Sequence, residues 1–501
     1  MLTATGFREP RPLAATDWHE LRLFGVLVLF VLLLRFPYIG FPDIFIDEEF
    51  YLVVGDRLLN GQIPYVDVWD RKPIGLFLLF AGMRLLGGDA VVAYQLVAAL
   101  FAIATSWFIL LISRRYVGHA AALAGAIVYV AWLATLGGSG GQSPVFYNAL
   151  TAAAGWMTIR SSEEHHFGRS SRWAFGAMIV CGLTLQIKYT AVIEGVFFGL
   201  AIIWTMYRKG TSQVRITRLA VIMIALALAP TAAALIFYAA IGHLDAFVYA
   251  NFFSVFDRLP QPGYEISNNL RLLSLVLLPV MICLPAAVAI FTRHPDKKMM
   301  RGFLAGWLVA AVLGFALIGN YFDHYALPVL VPACLILAML FDQPKYGAIA
   351  FLVLIVWALL IANLRNVPKA ESRELVSAMT REIKPYTDRG ATLYIDDAPM
   401  ILYLETGAHA PWRTLFPFHL TDATEIDAVG VDTHAEMRKV IASSPGIILT
   451  SSAAFTPVVD EINRQALDDL IARNYVVTAS FGRPNRRYAV NVRRDLIDAQ
   501  R

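Results

Sequence analysis

The stretch 46–75, IDEEFYLVVGDRLLNGQIPYVDVWDRKPIG, follows directly on the first apolar run long enough to cross a bilayer. It gathers Asp47, Glu48, Glu49, Asp56, Asp67, Asp70, Arg71 and Lys72 into one loop just outside a membrane. A bare anchor has no use for such a charge cluster. Chemistry on a charged lipid headgroup at the membrane surface requires one.

The composition agrees with a membrane setting. The 501 residues are 57% hydrophobic and only 16% charged, with a mean hydropathy of +0.57, whereas soluble domains carry about 25% charged residues. The formal net charge of +4 is small, and no basic face with interleaved aromatics points to nucleic acid. Cys181, Cys283 and Cys334 lie inside apolar runs without metal-ligand spacing, and read as small buried hydrophobes. Arg8, Arg11 and Arg22 precede the run 23–34 in the manner of a signal peptide, but RFPYIG follows instead of a small-residue cleavage site. An uncleaved first span is expected.

Runs of spanning length fall at 22–40, 90–113, 119–136, 145–159, 173–187, 190–207, 219–241, 271–292, 302–319, 326–341 and 346–363, about eleven spans in all. The apolar segment 74–87 is too short to cross and reads as an interfacial helix. With the N-terminus in the cytoplasm, Arg114, Arg115, Arg160, Arg208, Lys209, Arg293, Lys297 and Lys345 all fall inside, while loops 40–73, 242–270 and 320–325 hold few Lys or Arg. That bias puts those loops, and everything after about 364, on the outer side.

Beyond 364 the charge density rises and spanning runs stop. Helical patterns at 369–384, 433–443 and 459–473 alternate with β-rich runs at 392–396, 446–450, 475–480 and 486–492. The expected fold is a multi-span α-helical membrane domain, 1–363, whose catalytic outer loop is 40–75, followed by a small extracytoplasmic α/β domain, 364–501. No Gly-rich phosphate fingerprint follows any of the tail's strands, and no Walker, HExxH or Ser-His-Asp arrangement is present.

Five places hold candidate chemistry. Asp47 and Glu48 form a carboxylate pair at the membrane face, suited to take a proton from an acceptor hydroxyl. They equally suit the first turn of a helix, where acids are favoured. In Asp67-x-x-Asp70-Arg71-Lys72-Pro73, Lys72 can hold a lipid phosphate next to the N-terminus of the helix that Pro73 begins. The alternative is a local ion pair or a snorkelling side chain. Lys188, between two apolar runs, is costly at depth and therefore a functional candidate, or else a snorkelling helix-end lysine. Tyr321, His324 and Tyr325 sit in a polar aromatic knot, 320–325, where histidine can meet a phosphate or a metal; an interfacial aromatic belt explains the same residues. Arg258, in loop 242–270, can contact a phosphate.

Four stretches, in order, carry a resemblance: DEEFYLVVGDRLLNGQIPYVDVWDRKPIG at 47–75, GLTLQIKYT at 182–190, GNYFDHYALPVLVP at 319–332, and DDAPMILYLETG…LFPFHL within 396–420. Together they resemble the membrane glycosyltransferases of the GT-C fold. The likeness is to families 39 and 83: dolichyl-phosphate-mannose protein mannosyltransferases, lipid A aminoarabinose transferases and rhizobial galacturonosyltransferases of lipopolysaccharide. The third stretch lacks the Arg or Lys usual near Asn320. The resemblance implies Asp47 as catalytic base with Glu48 its neighbour, Lys72 beside the donor phosphate, and Lys188 and His324 at recurrent outer-face positions.

The implied reaction moves a sugar, with inversion, from a polyprenyl-phosphate donor to a glycan, lipid or protein acceptor outside the bacterial inner membrane. The departing phosphate would be met by Lys72, with Arg258 or Lys188. Some relatives use a divalent metal; the sequence requires none. The competing classes are a lipid or solute transporter and a non-catalytic membrane subunit. A transporter predicts charges deep in several spans or internal repeats, and the charges here concentrate in one loop.

Overall fold

The computed structural model describes residues 18–317, 319–483 and 485–498. Arg8 and Arg11 lie outside the described residues. The chain forms two compact units. The first comprises residues up to Ile39 with Gln95–Ala233 and Pro262–Val367; the second comprises Gly40–Tyr94, Ala234–Gln261 and Pro368–Arg501.

Among the described residues, nine helices are long and apolar enough to cross a membrane: Glu20–Tyr38, Ala90–Ser113, His119–Leu136, Tyr189–Arg208, Gln213–Ala240, Gly263–Thr292, Pro295–Ala316, Asp323–Phe341 and Gly347–Asn366. Two further expected spans, 145–159 and 173–187, are also helices, Ser143–Glu163 and Phe167–Leu185, of 21 and 19 residues. They are more polar because protein rather than lipid surrounds them: Asn148, Thr151, Thr158 and Ser161 are buried along the first, Ser170, Ser171 and Thr184 along the second. By contrast Gln213–Ala240 and Gly347–Asn366 leave large apolar side chains such as Ile224, Ile236, Leu352 and Leu360 exposed, as a lipid-facing surface does.

Within the first unit, small residues let backbones and rings approach closely. A Cβ on Gly155 would meet the Trp307 ring at 2.5 Å, and one on Gly182 would meet the Ala227 carbonyl at 2.6 Å. Polar groups also bridge helices of this unit: Asn148 Nδ2 donates to the Leu327 carbonyl at 3.1 Å, and Trp307 Nε1 to Glu194 Oε1 at 2.6 Å.

In the second unit, helix Ile46–Leu59 packs on the short apolar helix Ile74–Arg84. Gly55 makes the crossing possible, since a Cβ there would lie 2.7 Å from the Ala81 nitrogen and 2.9 Å from the Phe80 carbonyl carbon. Arg84 Nη2 pairs with Asp56 Oδ1 at 2.9 Å across the two helices. The tail folds as expected into an α/β sheet: β1 (Leu393–Ile395), β2 (Ile447–Ser451), β3 (Tyr475–Arg483) and β4 (Arg486–Arg493), in the order β1-β2-β4-β3. β1 and β2 are parallel; β4 runs antiparallel to both β2 and β3. The helices Lys369–Thr387, Thr433–Ser443 and Glu461–Asn474 fall where their patterns placed them.

Candidate active site

The first turn of helix Ile46–Leu59 separates three consecutive carboxylates by environment. Asp47 is partly exposed, at 24% of its side chain. Glu48 is wholly buried. Glu49 is buried too, and its Oε2 accepts from the Ile401 N–H at 3.0 Å. Burial, with Asp43 and Glu48 nearby, pushes the Glu49 carboxyl well above its usual value. So one acid of the run faces outward, and Glu49 fastens the helix to the tail sequence.

The segment 63–72 is a pinned loop. Tyr65 adopts a left-handed conformation, φ +69°. Asp67 closes the turn, its Oδ2 accepting from the Ile63 N–H at 2.7 Å. The Tyr65 ring is buried among Phe77, Tyr238 and Phe247, and its hydroxyl donates to the Lys72 carbonyl at 2.7 Å. Lys72 thus has a fixed backbone immediately before Pro73, which caps helix Ile74–Arg84. Its Nζ lies 3.9 Å from Asp47 Oδ1, 3.6 Å from Asp70 Oδ1 and 5.4 Å from the Tyr51 ring centre. Asp47, Asp70 and Lys72 therefore form one cluster. Asp70 is buried; its Oδ1 accepts from the Arg71 N–H at 2.6 Å, and its Oδ2 has no hydrogen-bond partner among the described residues.

Arg71 turns the other way. Its guanidinium makes a two-pronged pair with Glu425, Nη1 to Oε1 at 2.9 Å and Nη2 to Oε2, and Nη2 also donates to the Ala428 carbonyl at 3.2 Å. Arg258 meets the same carboxylate, Nε to Oε1 at 2.8 Å. Burial alone would raise the Glu425 carboxyl, but Arg71 and Arg258 more than reverse this and hold it at about 2. The buried imidazole of His419 is pushed well below its ordinary value, first by burial and then by Arg71, Lys72 and Arg413, against an opposing pull from Glu425. Trp69, fully buried, packs against His419 and carries the Arg413 guanidinium 5.1 Å from its ring centre.

The remaining expected residues belong to the first unit. Lys188 Nζ sits 4.9 Å from the centre of the Tyr325 ring. Both line a narrow cavity with Tyr147, Glu194 and Phe315. His324 stacks on Phe322, its ring 4.5 Å from that of Tyr325, and Nδ1 lies 3.4 Å from Asp323 Oδ1. Tyr321 packs its ring on Phe315. Among the described residues no group of three or more His, Cys, Asp or Glu is arranged to hold a metal ion.

Four of these participants were not singled out from sequence: Tyr65, His419, Glu425 and Glu194. Tyr65 and Glu194 left a signal, Tyr65 inside the G-x-x-P-Y-x-D run and Glu194 as an acid within a spanning segment. Glu425 left none, because 354 positions separate it from Arg71.

Residues 70–235 match the family model described as dolichyl-phosphate-mannose-protein mannosyltransferase. The matched stretch includes Asp70, Lys72 and Lys188 and begins after Asp47. No curated protein matches the chain. Among solved structures, ArnT from Cupriavidus metallidurans bound to undecaprenyl phosphate is similar at a TM-score of 0.60 with 13% identity, over 96% of this chain and 99% of that one. ArnT in the apo state gives 0.60 and 14%, over 95% and 99%. The Archaeoglobus fulgidus oligosaccharyltransferase tethered with an acceptor peptide gives 0.52 and 13%, over 87% and 69%. At these identities the structural likeness speaks for the fold alone. The chain is a multi-span α-helical membrane protein with the fold of these glycosyltransferases, and its residues 70–235 resemble the mannosyltransferase family model.

Proposed function

We propose that this chain is an inverting glycosyltransferase that moves a sugar from a polyprenyl-phosphate donor to an extracytoplasmic acceptor, lipopolysaccharide or another cell-envelope glycan. Asp47 is the general base. It takes the proton of the acceptor hydroxyl, whose oxygen attacks the anomeric carbon from the face opposite the lipid phosphate. The bond from the anomeric carbon to the phosphate oxygen breaks, and the phosphate leaves with the electron pair. Lys72 stands where that charge develops, and Asp70 and Tyr65 hold it there. Arg258, its side chain 23% exposed beside Glu425, is a further cation for the same anion.

The observation that carries this reading is the juxtaposition of a partly exposed carboxylate, Asp47, with a lysine 3.9 Å away on a pinned backbone. The Lys/Arg bias of the loops supports an active face and a 364–501 domain on the outer side of the cytoplasmic membrane. No nucleotide sugar is supplied there, so a donor delivered within the bilayer fits. The undecaprenyl phosphate in the ArnT structure is a donor carrier of that kind.

The test separates binding from turnover. Asp47→Asn should lower transfer by about 10²–10⁴-fold while undecaprenyl phosphate still binds at wild-type affinity. Lys72→Ala should weaken binding of the same lipid. An Asp47→Asn protein with full transfer, or a Lys72→Ala protein with unchanged lipid affinity, would remove the two assignments in turn.

A further inference from the structure

A second cavity, of about 690 Å³, opens in the second unit between Tyr249 and the loop 426–434. Its wall combines the Tyr249 ring with the side chains of Asp427, Asp432 and His434, beside Ile426 and Gly430. The ring is fixed in advance. Tyr249 opens a stretch of π-helix, Tyr249–Phe253, a widened turn common at functional sites. Its hydroxyl lies 2.7 Å from Asp257 Oδ2 and 3.1 Å from the Asp427 carbonyl. Buried Trp69 backs it at 6.0 Å. Gly430 lies against its edge: φ is +70°, and a Cβ there would come within 2.6 Å of the ring.

The lining carries the carboxylates of Asp427 and Asp432, the latter 3.8 Å from Arg438 Nη2. Asp432 caps helix Thr433–Ser443 through the Ala435 N–H at 2.9 Å, and His434 is paired with Asp460 at 3.0 Å. The same loop reaches the Lys72 segment, because Arg71 grips both Glu425 and the Ala428 carbonyl at its start.

We propose that this cavity is an acceptor subsite that takes a neutral or amino sugar residue of the acceptor glycan, with the Tyr249 ring as platform and Asp427 and Asp432 accepting from sugar hydroxyls or an ammonium group. The inference rests on the glycosyltransferase reading. A pre-formed aromatic wall with a few converging polar groups is what a saccharide needs, and the two carboxylates disfavour an acidic sugar.

The experiment is equilibrium binding to the full-length protein in lipid nanodiscs, with glucosamine trisaccharide, maltotriose and trigalacturonate as probes and trilysine peptide as competitor. Glucosamine trisaccharide and maltotriose should bind at least about tenfold more tightly than trigalacturonate. Tyr249→Ala should weaken both by about tenfold or more. Asp427→Asn, an exposed change that leaves the platform intact, should narrow the preference for glucosamine trisaccharide over trigalacturonate. No sugar binding, binding indifferent to both variants, or preferential capture of trilysine overturns the proposal. Because turnover is not read, Asp47→Asn must bind the sugars as wild type does. Persistent transfer by that variant would instead overturn the catalytic reading and leave the subsite standing.

Discussion

Glu425 shows how much one residue organises here. It pairs with both guanidiniums, Arg71 and Arg258, and its side chain is 5% exposed. Removing its charge would leave two like charges partly buried together. Glu425→Gln is expected to cost about 3–5 kcal/mol, the range for breaking a buried pair by deleting one partner. It should also loosen the Lys72 segment, so that undecaprenyl phosphate affinity falls along with stability. Denaturant unfolding of the purified protein checks the first expectation; wild-type stability in Glu425→Gln would contradict the buried-network account. At this scale the sequence was legible where charge sits between spanning runs. Asp47, Asp70 and Lys72 stand in one short stretch and meet in the fold. Their remote partners were not legible, since nothing local to Glu425 or His419 signals a contact with residues 69–72. Asp67 shows the converse: its position in the motif suggested chemistry, and its side chain closes a turn.

Among the elements, the pair of helices Ile46–Leu59 and Ile74–Arg84 frames the cluster of Asp47, Asp70 and Lys72. Their contact at Gly55 leaves no room for a methyl group. Gly55→Ala should destabilise by about 1–3 kcal/mol and displace Asp47 relative to Lys72, lowering turnover more than the stability loss alone explains. Thermal unfolding beside a transfer assay separates the two effects; unchanged turnover would mean the helix crossing does not set the site. The short apolar run at 74–87 was readable as a helix too short to span. Ser143–Glu163 and Phe167–Leu185 were readable as helices, but their buried polar residues blur a reading based on hydropathy alone. The four tail strands were legible because β-branched and aromatic runs bounded by turn residues alternate with amphipathic helices. The pairing order β1-β2-β4-β3 is a matter of long-range packing, which local pattern does not encode.

For the molecule as a whole, the buried titratable groups pull stability in opposite directions with pH. An unfolded imidazole gains a proton near its ordinary 6.5, while the buried His419 resists it; its contribution to stability is therefore lost as pH falls below that value. Glu425 acts later: its depressed carboxyl stabilises the fold above about 4.5, and that contribution disappears as pH drops toward 2. Glu49, pushed the other way, favours the fold below its ordinary 4.5 and gives this up as pH rises. Between pH 7 and pH 5 these pulls oppose one another, because Glu49 and the carboxyls of Asp396 and Asp397, raised by burial to about 6 and about 7, gain stability where His419 loses it. Relative to wild type, His419→Gln should therefore lose less stability, or gain more, on acidification. An identical pH dependence of the melting temperature in His419→Gln and wild type across this interval would contradict the assigned burial of His419.

The central claim is that Asp47 accepts the acceptor's proton. It is tested most directly by mass spectrometry of cell-envelope glycans from a strain lacking this chain, complemented with the wild-type or the Asp47→Asn form. The account predicts a glycan that loses one sugar in the deletion strain, regains it with wild type and fails to regain it with Asp47→Asn, although both proteins reach the membrane in equal amount. Full restoration by Asp47→Asn, or glycans identical in every strain, would contradict it.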